Sequence, residues 1–165
     1  MVEVDETAPE FTLRGVDRWR IRSFTLGEVL RDAEFVVLSF YVYDFSPVCT
    51  TQLCELDGLD LFEPEEGVRL FGVAPDGPYA HGEFIDEHDL SYPLLCDTAE
   101  RVAEAYGVLH EEKDGFDRVP KRSMFLVDDD RTVQLRWVAG ENEADWSGEP
   151  LRLVKNRIDE LRAGG

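Results

Sequence analysis

Two cysteines five positions apart are the residues of this 165-residue chain best suited to chemistry. Cys49 follows Ser46 and Pro47, which are typical of the N-cap and the first position of a helix, so we expect Cys49 in the first helical turn. Unpaired backbone N–H groups and the positive end of the helix dipole favour a thiolate over a thiol there. A thiolate is the form of cysteine that can attack an O–O bond.

The second cysteine, Cys54, lies on the same predicted helix, which we expect over about 49–62. Helix geometry places the Cα atoms of Cys49 and Cys54 about 8–9 Å apart. A disulfide needs roughly 7 Å or less, so the pair can bridge only if the first turn unwinds. The spacing therefore favours either a redox switch or two buried thiols of a helical core, and by itself it does not decide between them.

The remaining cysteine and the histidines carry weaker signals. A zinc site is disfavoured because neither Cys96 nor His81, His88 and His110 forms a second closely spaced ligand pair. We interpret the histidines as surface or cap residues. Cys96 is interpreted either as a small buried thiol or as a second resolving cysteine. A Cys-x-x-Cys motif is absent, which disfavours a disulfide reductase.

The elements that must position these residues alternate along the chain. An extended stretch is predicted at 8–13, strands at 19–24, 35–43, 68–73, 92–95, 123–127 and 132–138, and helices at 25–30, 49–62, 79–88, 99–106 and from 150. Thr25 is predicted to cap the first helix, and Asp97 or Thr98 the fourth. This order predicts one α/β domain over 1–165, with a mixed central sheet flanked by helices. Cys49 then follows the carboxyl end of a central strand, where α/β sheets place reactive groups.

The charge of the chain excludes one class of partner. It has 36 acidic residues against 17 lysines and arginines, a formal net charge of −19, and a field of this sign repels nucleic acid. The first six residues, MVEVDE, are acidic, unlike a signal peptide, and no apolar run reaches the length of a membrane span. These features predict a cytoplasmic protein that binds no membrane.

The segment around Cys49 resembles a known family. Residues 42–49, VYDFSPVC, resemble the peroxiredoxin signature of proline, three residues, threonine, two residues and cysteine. The continuation CTTQLCEL resembles the branch of bacterioferritin comigratory protein and PrxQ. APEFTL at 8–13, GVAPD at 72–76, YPLLCD at 92–97, VAEAYGV at 102–108 and PKRSMFLVD at 120–128 resemble further parts of the family in the right order. The likeness covers roughly 5–140.

The resemblance implies a thioredoxin-like fold with a peroxiredoxin N-terminal extension, and a thiol-dependent peroxidase. Cys49 would be the peroxidatic cysteine, which reduces hydrogen peroxide or an organic hydroperoxide and becomes a sulfenic acid. Cys54 would be the resolving cysteine, and a thioredoxin-like donor would reduce the resulting disulfide. Sulfur does this chemistry, so no metal and no organic cofactor is expected. Either a monomer or a homodimer is compatible with the sequence.

Four further residues receive roles from the resemblance. Ser46 stands in place of the family's threonine, and its hydroxyl can orient the peroxide and hydrogen-bond the thiolate. Arg122 would supply a permanent positive charge that favours the thiolate and stabilises charge along the breaking O–O bond. Gln52 matches the position that orients this arginine. Val42 replaces the signature's first proline, which shields the cysteine, and this departure affects the expected rate more than the reaction.

Two alternative functions stay open at this point. One is a thiol–disulfide oxidoreductase on the same fold, and the other is a non-catalytic thioredoxin-like binding or metallochaperone module. Neither accounts for the combination of Ser46, Cys49 and Arg122 in one chain.

The acidic composition leads to a prediction about salt. We interpret it as adaptation to a salty cytoplasm such as that of halophilic archaea, because repulsion among the carboxylates destabilises the fold at low ionic strength. At molar salt the Debye length falls to roughly 3 Å and the repulsion fades. The thermal midpoint should therefore rise between dilute and molar KCl, as followed by circular dichroism. A flat or falling midpoint would reject the interpretation.

Overall fold

The structure of the chain is a computed structural model that describes residues 2–44, 47–57, 67–113, 115–139 and 149–164. For residues 47–49 and 56–57 it describes the backbone alone. In these ranges no helix is long and apolar enough to cross a membrane.

A seven-stranded mixed sheet organises the chain, and a separate two-stranded hairpin accompanies it. The strands are β1 (Thr12–Asp17), β2 (Arg20–Thr25), β3 (Phe35–Phe40), β4 (Val68–Ala74), β5 (Leu94–Cys96), β6 (Leu109–Lys113), β7 (Phe116–Pro120), β8 (Ser123–Asp128) and β9 (Val133–Val138). The helices are α1 (Leu26–Val29), α2 (Pro47–Asp57), α3 (Pro78–His88), α4 (Arg101–Ala105) and α5 (Glu149–Gly164). The order in the large sheet is β2-β1-β5-β4-β3-β8-β9. This arrangement confirms the predicted α/β class with a mixed sheet.

The sheet is buried on both faces because its central strands are apolar on both sides. All six residues of β3 are buried. One face packs against α1 and α4, and the opposite face packs against α2, α3 and α5. The helix residues that fill these faces are Leu26, Val102 and Ala103 on the first face, and Leu53, Phe84, Ile85, Leu151, Val154 and Ile158 on the second. A strand covered on both sides cannot show strict polar alternation, which agrees with the continuous apolar run predicted for β3.

Three strands direct their carboxyl ends toward the same edge of the sheet. β3 pairs in parallel with β4, and β4 pairs in parallel with β5. Each of these strands is followed along the chain by a helix: α2, α3 and α4 respectively. The start of α2, which contains the predicted reactive residue Cys49, therefore lies at this edge of the sheet.

Several local predictions need correction. Residues 12–17 form β1, a strand that pairs with β2, where only an extended stretch ending at 13 was expected. β6 and β7 were not predicted, because most of their residues are polar. The strand expected to reach 43 ends at Phe40. Thr25 occupies the position before α1, but its hydroxyl lies 2.8 Å from the Thr12 hydroxyl instead of capping the helix.

Glu100 occupies the N-cap position of α4, which was predicted for Asp97 or Thr98, but the Asp97 side chain does bond the first turn. The Asp97 carboxylate accepts the backbone N–H of Val102 at 3.2 Å and that of Ala103 at 2.9 Å. The hairpin predicted around 128–130 is also present, since β8 and β9 pair antiparallel across it.

Candidate active site

Cys49 is the third residue of α2, which begins at Pro47. The prediction that Pro47 opens the helix and that Cys49 lies in its first turn is confirmed by the backbone. Ser46, the predicted N-cap and peroxide-orienting residue, lies outside the described residues. The helix follows β3 along the chain, so Cys49 is positioned beyond the carboxyl end of a fully buried strand.

Cys54 lies on the same continuous helix as Cys49, since α2 runs without interruption from Pro47 to Asp57. Regular helix geometry therefore applies, and the two Cα atoms are about 8–9 Å apart, beyond the reach of a disulfide. The Cys54 side chain is half-buried and packs against the core beneath α2 and α3, as does Val42. Val42 thus covers apolar surface just before the helix, in the place where the family has its shielding proline.

Gln52 fastens α2 to the sheet. Its side chain is completely buried, and Nε2 donates to Ser39 Oγ at 2.5 Å and to the Phe40 carbonyl at 3.5 Å. Its Oε1 has no hydrogen-bond partner among the described residues. Gln52 was predicted to orient Arg122; the structure shows that its amide hydrogens bind β3, while the role toward Arg122 stays a prediction.

Arg122 comes directly before β8, and the register of that strand places it near α2. Ser123 pairs with Phe40, the last residue of β3, so Arg122 lies at the carboxyl end of β3. Its carbonyl accepts the backbone N–H of Ala139 at 2.9 Å, which holds it beside β9. Two segments far apart in the sequence, one with Arg122 and one with Cys49, therefore meet at the same edge of the sheet.

The location of His81 near this edge of the sheet was predicted wrongly from the sequence. His81 was expected at the surface or at a cap, but it is completely buried on α3 and lies 2.7 Å from Asp44. The spacing of His81, Phe84 and Ile85 indicates burial, because residues three and four positions apart share one face of a helix. His88 packs its ring against Phe84, with centroids 4.6 Å apart.

Cys96 ends β5 at the same edge of the sheet, where it pairs with Ala74. Burial, together with the negative charges of Asp44 and Asp76, raises the pKa of the Cys96 thiol to about 11. The group is therefore a protonated thiol near neutral pH. Since a thiolate is the attacking species in disulfide formation, this environment disfavours Cys96 as a resolving cysteine.

Two groups of side chains have the composition of a cation site. Asp44, Asp76 and His81 place ligand atoms within 4.8 Å of one another, and so do the three aspartates at 128–130. In the second group, Asp128 Oδ1 accepts the backbone N–H of Asp130 at 3.0 Å and that of Thr132 at 2.9 Å. These bonds identify the second group as a turn between β8 and β9. In the first group, Asp44 is hydrogen-bonded to His81 through its side chain and to Asp76 through its backbone N–H.

Known proteins share both this sequence pattern and this fold. The pattern of the AhpC/TSA family matches residues 4–136. Peroxiredoxin Bcp of Bacillus subtilis is 31% identical over 143 residues, which cover 82% of this chain and 85% of that protein. The putative peroxiredoxin bcp of Coxiella burnetii is 30% identical over 143 residues, covering 82% and 88% respectively.

Among solved structures, Mycobacterium tuberculosis peroxidoxin BcpB has a TM-score of 0.78 at 25% identity, with 99% of this chain and 98% of that chain covered. Enterococcus faecalis AhpC has a TM-score of 0.82 at 21% identity, with 100% of this chain and 98% of that chain covered. This second similarity is one of fold.

Proposed function

The chain belongs to the AhpC/TSA family and is a peroxiredoxin, a thiol-dependent peroxidase; from this premise we propose that Cys49 attacks the peroxide and Cys54 resolves the product. The observation that carries the proposal is the position of Cys49 in the first turn of α2, at the edge of the sheet that Arg122 also reaches.

The first step is a displacement on oxygen. The Cys49 thiolate attacks one peroxide oxygen, the O–O bond breaks, and Cys49 becomes a sulfenic acid. The other oxygen leaves with the bonding electrons and takes up a proton from solvent, which gives water or an alcohol. The N-terminal position on α2 would favour the thiolate, because the first backbone N–H groups of a helix have no partners within it and carry partial positive charge. Hydrogen peroxide and organic hydroperoxides both fit this scheme.

The surrounding residues stabilise charge during this step. We propose that the Arg122 guanidinium balances the thiolate and the negative charge that develops on the leaving oxygen. The Ser46 hydroxyl would hydrogen-bond the peroxide, and Gln52 Oε1 would accept a hydrogen bond from Arg122. Val42 would limit the access of water to Cys49.

The second step requires local unwinding of α2. A sulfur–sulfur bond forms between Cys49 and Cys54, and the sulfenic oxygen leaves as water. Because the regular helix keeps the two Cα atoms about 8–9 Å apart, the first turn must lose its helical form before the bond can close.

The third step returns the enzyme to its reduced state. An external dithiol attacks the disulfide, two electrons pass to Cys49 and Cys54, and the donor leaves oxidised. We propose a thioredoxin-like protein as the donor and the cytoplasm as the compartment. No step needs a second copy of the chain, so a monomer or a homodimer would both serve. No step needs a metal or an organic cofactor.

The two alternative functions have less support than the peroxidase. A thiol–disulfide oxidoreductase would reduce insulin without consuming peroxide. A binding or metallochaperone module would carry metal after purification and would keep its thiol titre after peroxide.

The variant Cys49→Ser tests the nucleophile. Serine cannot form a sulfenic acid, so consumption of hydrogen peroxide with a thioredoxin-like donor should fall to the background rate. The peroxide assay is run beside Cys96→Ser as the matched control, which should keep wild-type activity. Activity that survives in Cys49→Ser would reject the whole scheme.

The variant Cys54→Ser tests the resolving cysteine. It should consume one equivalent of peroxide and then accumulate the Cys49 sulfenic acid, which dimedone traps and mass spectrometry detects. A Cys49–Cys96 disulfide should not form, because the raised pKa of the Cys96 thiol keeps it protonated near neutral pH. Detection of that disulfide would show that Cys96 is the resolving partner.

The variant Arg122→Met tests the proposed charge. It removes the guanidinium while keeping a long side chain, and kcat/KM for peroxide should fall about 10²–10³-fold, the range for a lost charge-stabilising donor. Arg20→Met, at an exposed position of β2, is the control and should change nothing. Equal rates for Arg122→Met and wild type would remove Arg122 from the site.

A further inference from the structure

Three polar side chains form a buried cluster at the carboxyl end of β3. The Tyr41–Asp44–His81 cluster joins the chain just after β3 to α3, and Tyr41 and His81 are completely buried. The Tyr41 hydroxyl donates to Asp44 Oδ1 at 2.6 Å, and His81 Nδ1 lies 2.7 Å from Asp44 Oδ2. The distances are those of strong hydrogen bonds to a carboxylate.

The partners fix where the protons are. His81 Nε2 lies 3.0 Å from the Leu95 carbonyl, which can only accept, so Nε2 carries a hydrogen. The Tyr41 proton is already directed to Asp44 Oδ1, so the bond between His81 Nδ1 and Asp44 Oδ2 holds one further proton between the two groups. Both carboxylate oxygens and both ring nitrogens are thus engaged, and a cation could bind Asp44, Asp76 and His81 only by breaking these bonds.

The backbone of Asp44 is held as well. Its N–H donates to Asp76 Oδ2 at 2.7 Å, and Asp76 follows β4. Through its side chain and its backbone, Asp44 is therefore bonded to α3 and to the segment after β4, and His81 extends the connection to β5. Asp44 lies five positions before Cys49, so this fixed point immediately precedes the helix that must unwind.

The chain after Cys49 is held by separate bonds. Gln52 donates to Ser39 Oγ at 2.5 Å, and the buried Tyr92 hydroxyl donates to the Leu53 carbonyl at 2.6 Å. The first turn of α2 consequently lies between two anchored points, Asp44 before it and Gln52 with Leu53 after it.

We propose that Tyr41, Asp44 and His81 are positioning residues for Cys49. The cluster keeps the chain before α2 in place through the redox cycle, so that unwinding is confined to the first turn and the peroxide-reactive helical form is restored after reduction. The inference rests on the proposed function, because it assigns a role relative to Cys49 and Cys54.

The cluster should affect the two chemical steps in opposite directions. The attack on peroxide needs the helical first turn, whereas disulfide formation needs the unwound one. When the anchor is weakened, the reactive conformation is less populated and the apparent rate of attack falls by the same factor. Formation of the disulfide is then as fast as in the wild type or faster, and overoxidation of Cys49 to the sulfinic acid becomes less frequent.

The test uses stopped-flow oxidation of the reduced full chain by hydrogen peroxide, with Tyr41→Phe and His81→Asn compared with the wild type. We expect the rate constant for attack to fall about 10-fold in each, as for a competent fraction of about one tenth, while the rate of disulfide formation is unchanged or raised. Mass spectrometry after excess peroxide should show less sulfinic acid. His110→Asn, on β6, is the matched histidine control and should leave both rates unchanged.

Unchanged rates, or an equal loss in both steps, would overturn the proposal, the second result being that of a general structural role. If His81→Asn does not fold, Tyr41→Phe still decides the question, because it removes one hydroxyl from a residue that otherwise stays apolar and buried. Failure of the proposed function is recognised separately, since the wild type would then show no Cys49–Cys54 disulfide.

Discussion

The separation that one α-helix imposes on Cys49 and Cys54 is the constraint on which the rest of the site depends. As long as α2 is regular, its geometry holds the Cα atoms about 8–9 Å apart, and the sulfurs cannot bond. The same helix provides the N-terminal position that favours the Cys49 thiolate. In the proposed cycle, one element would therefore support the first chemical step by being folded and the second by unfolding in part.

The proposed double requirement agrees with the buried hydrogen bonds around α2. Gln52 attaches the helix to β3, Tyr92 holds the Leu53 carbonyl, and Asp44 is fixed before the helix by buried hydrogen bonds. Buried bonds to charged groups are costly to break, since the separated partners would be left without water. In our proposal these anchors direct motion to the first turn, the part of α2 that lies between them.

The sequence was sufficient to predict the strands and helix ends that depend on local residue patterns. Apolar β3 and the start of α2 at Pro47 both follow from residue types in a short window. The proximity of Arg122 to the helix came from a family resemblance, because it depends on the pairing of Ser123 with Phe40 across about 80 residues. The hairpin of β6 and β7 was missed because its residues are mostly polar.

The spacing of His81 with Phe84 and Ile85 is a local sign of its burial. The bond between His81 and Asp44 and the raised pKa of Cys96 depend on tertiary contacts, which no local pattern reveals.

Hydrogen exchange measures most directly whether α2 unwinds when the disulfide forms. Peptides covering Pro47–Asp57 would be compared by mass spectrometry in the reduced protein and after one equivalent of peroxide. We expect faster amide exchange at the start of α2 in the oxidised protein, with exchange in β3 unchanged. A Cys49–Cys54 disulfide in a protein whose α2 exchanges as slowly as in the reduced form would contradict this expectation.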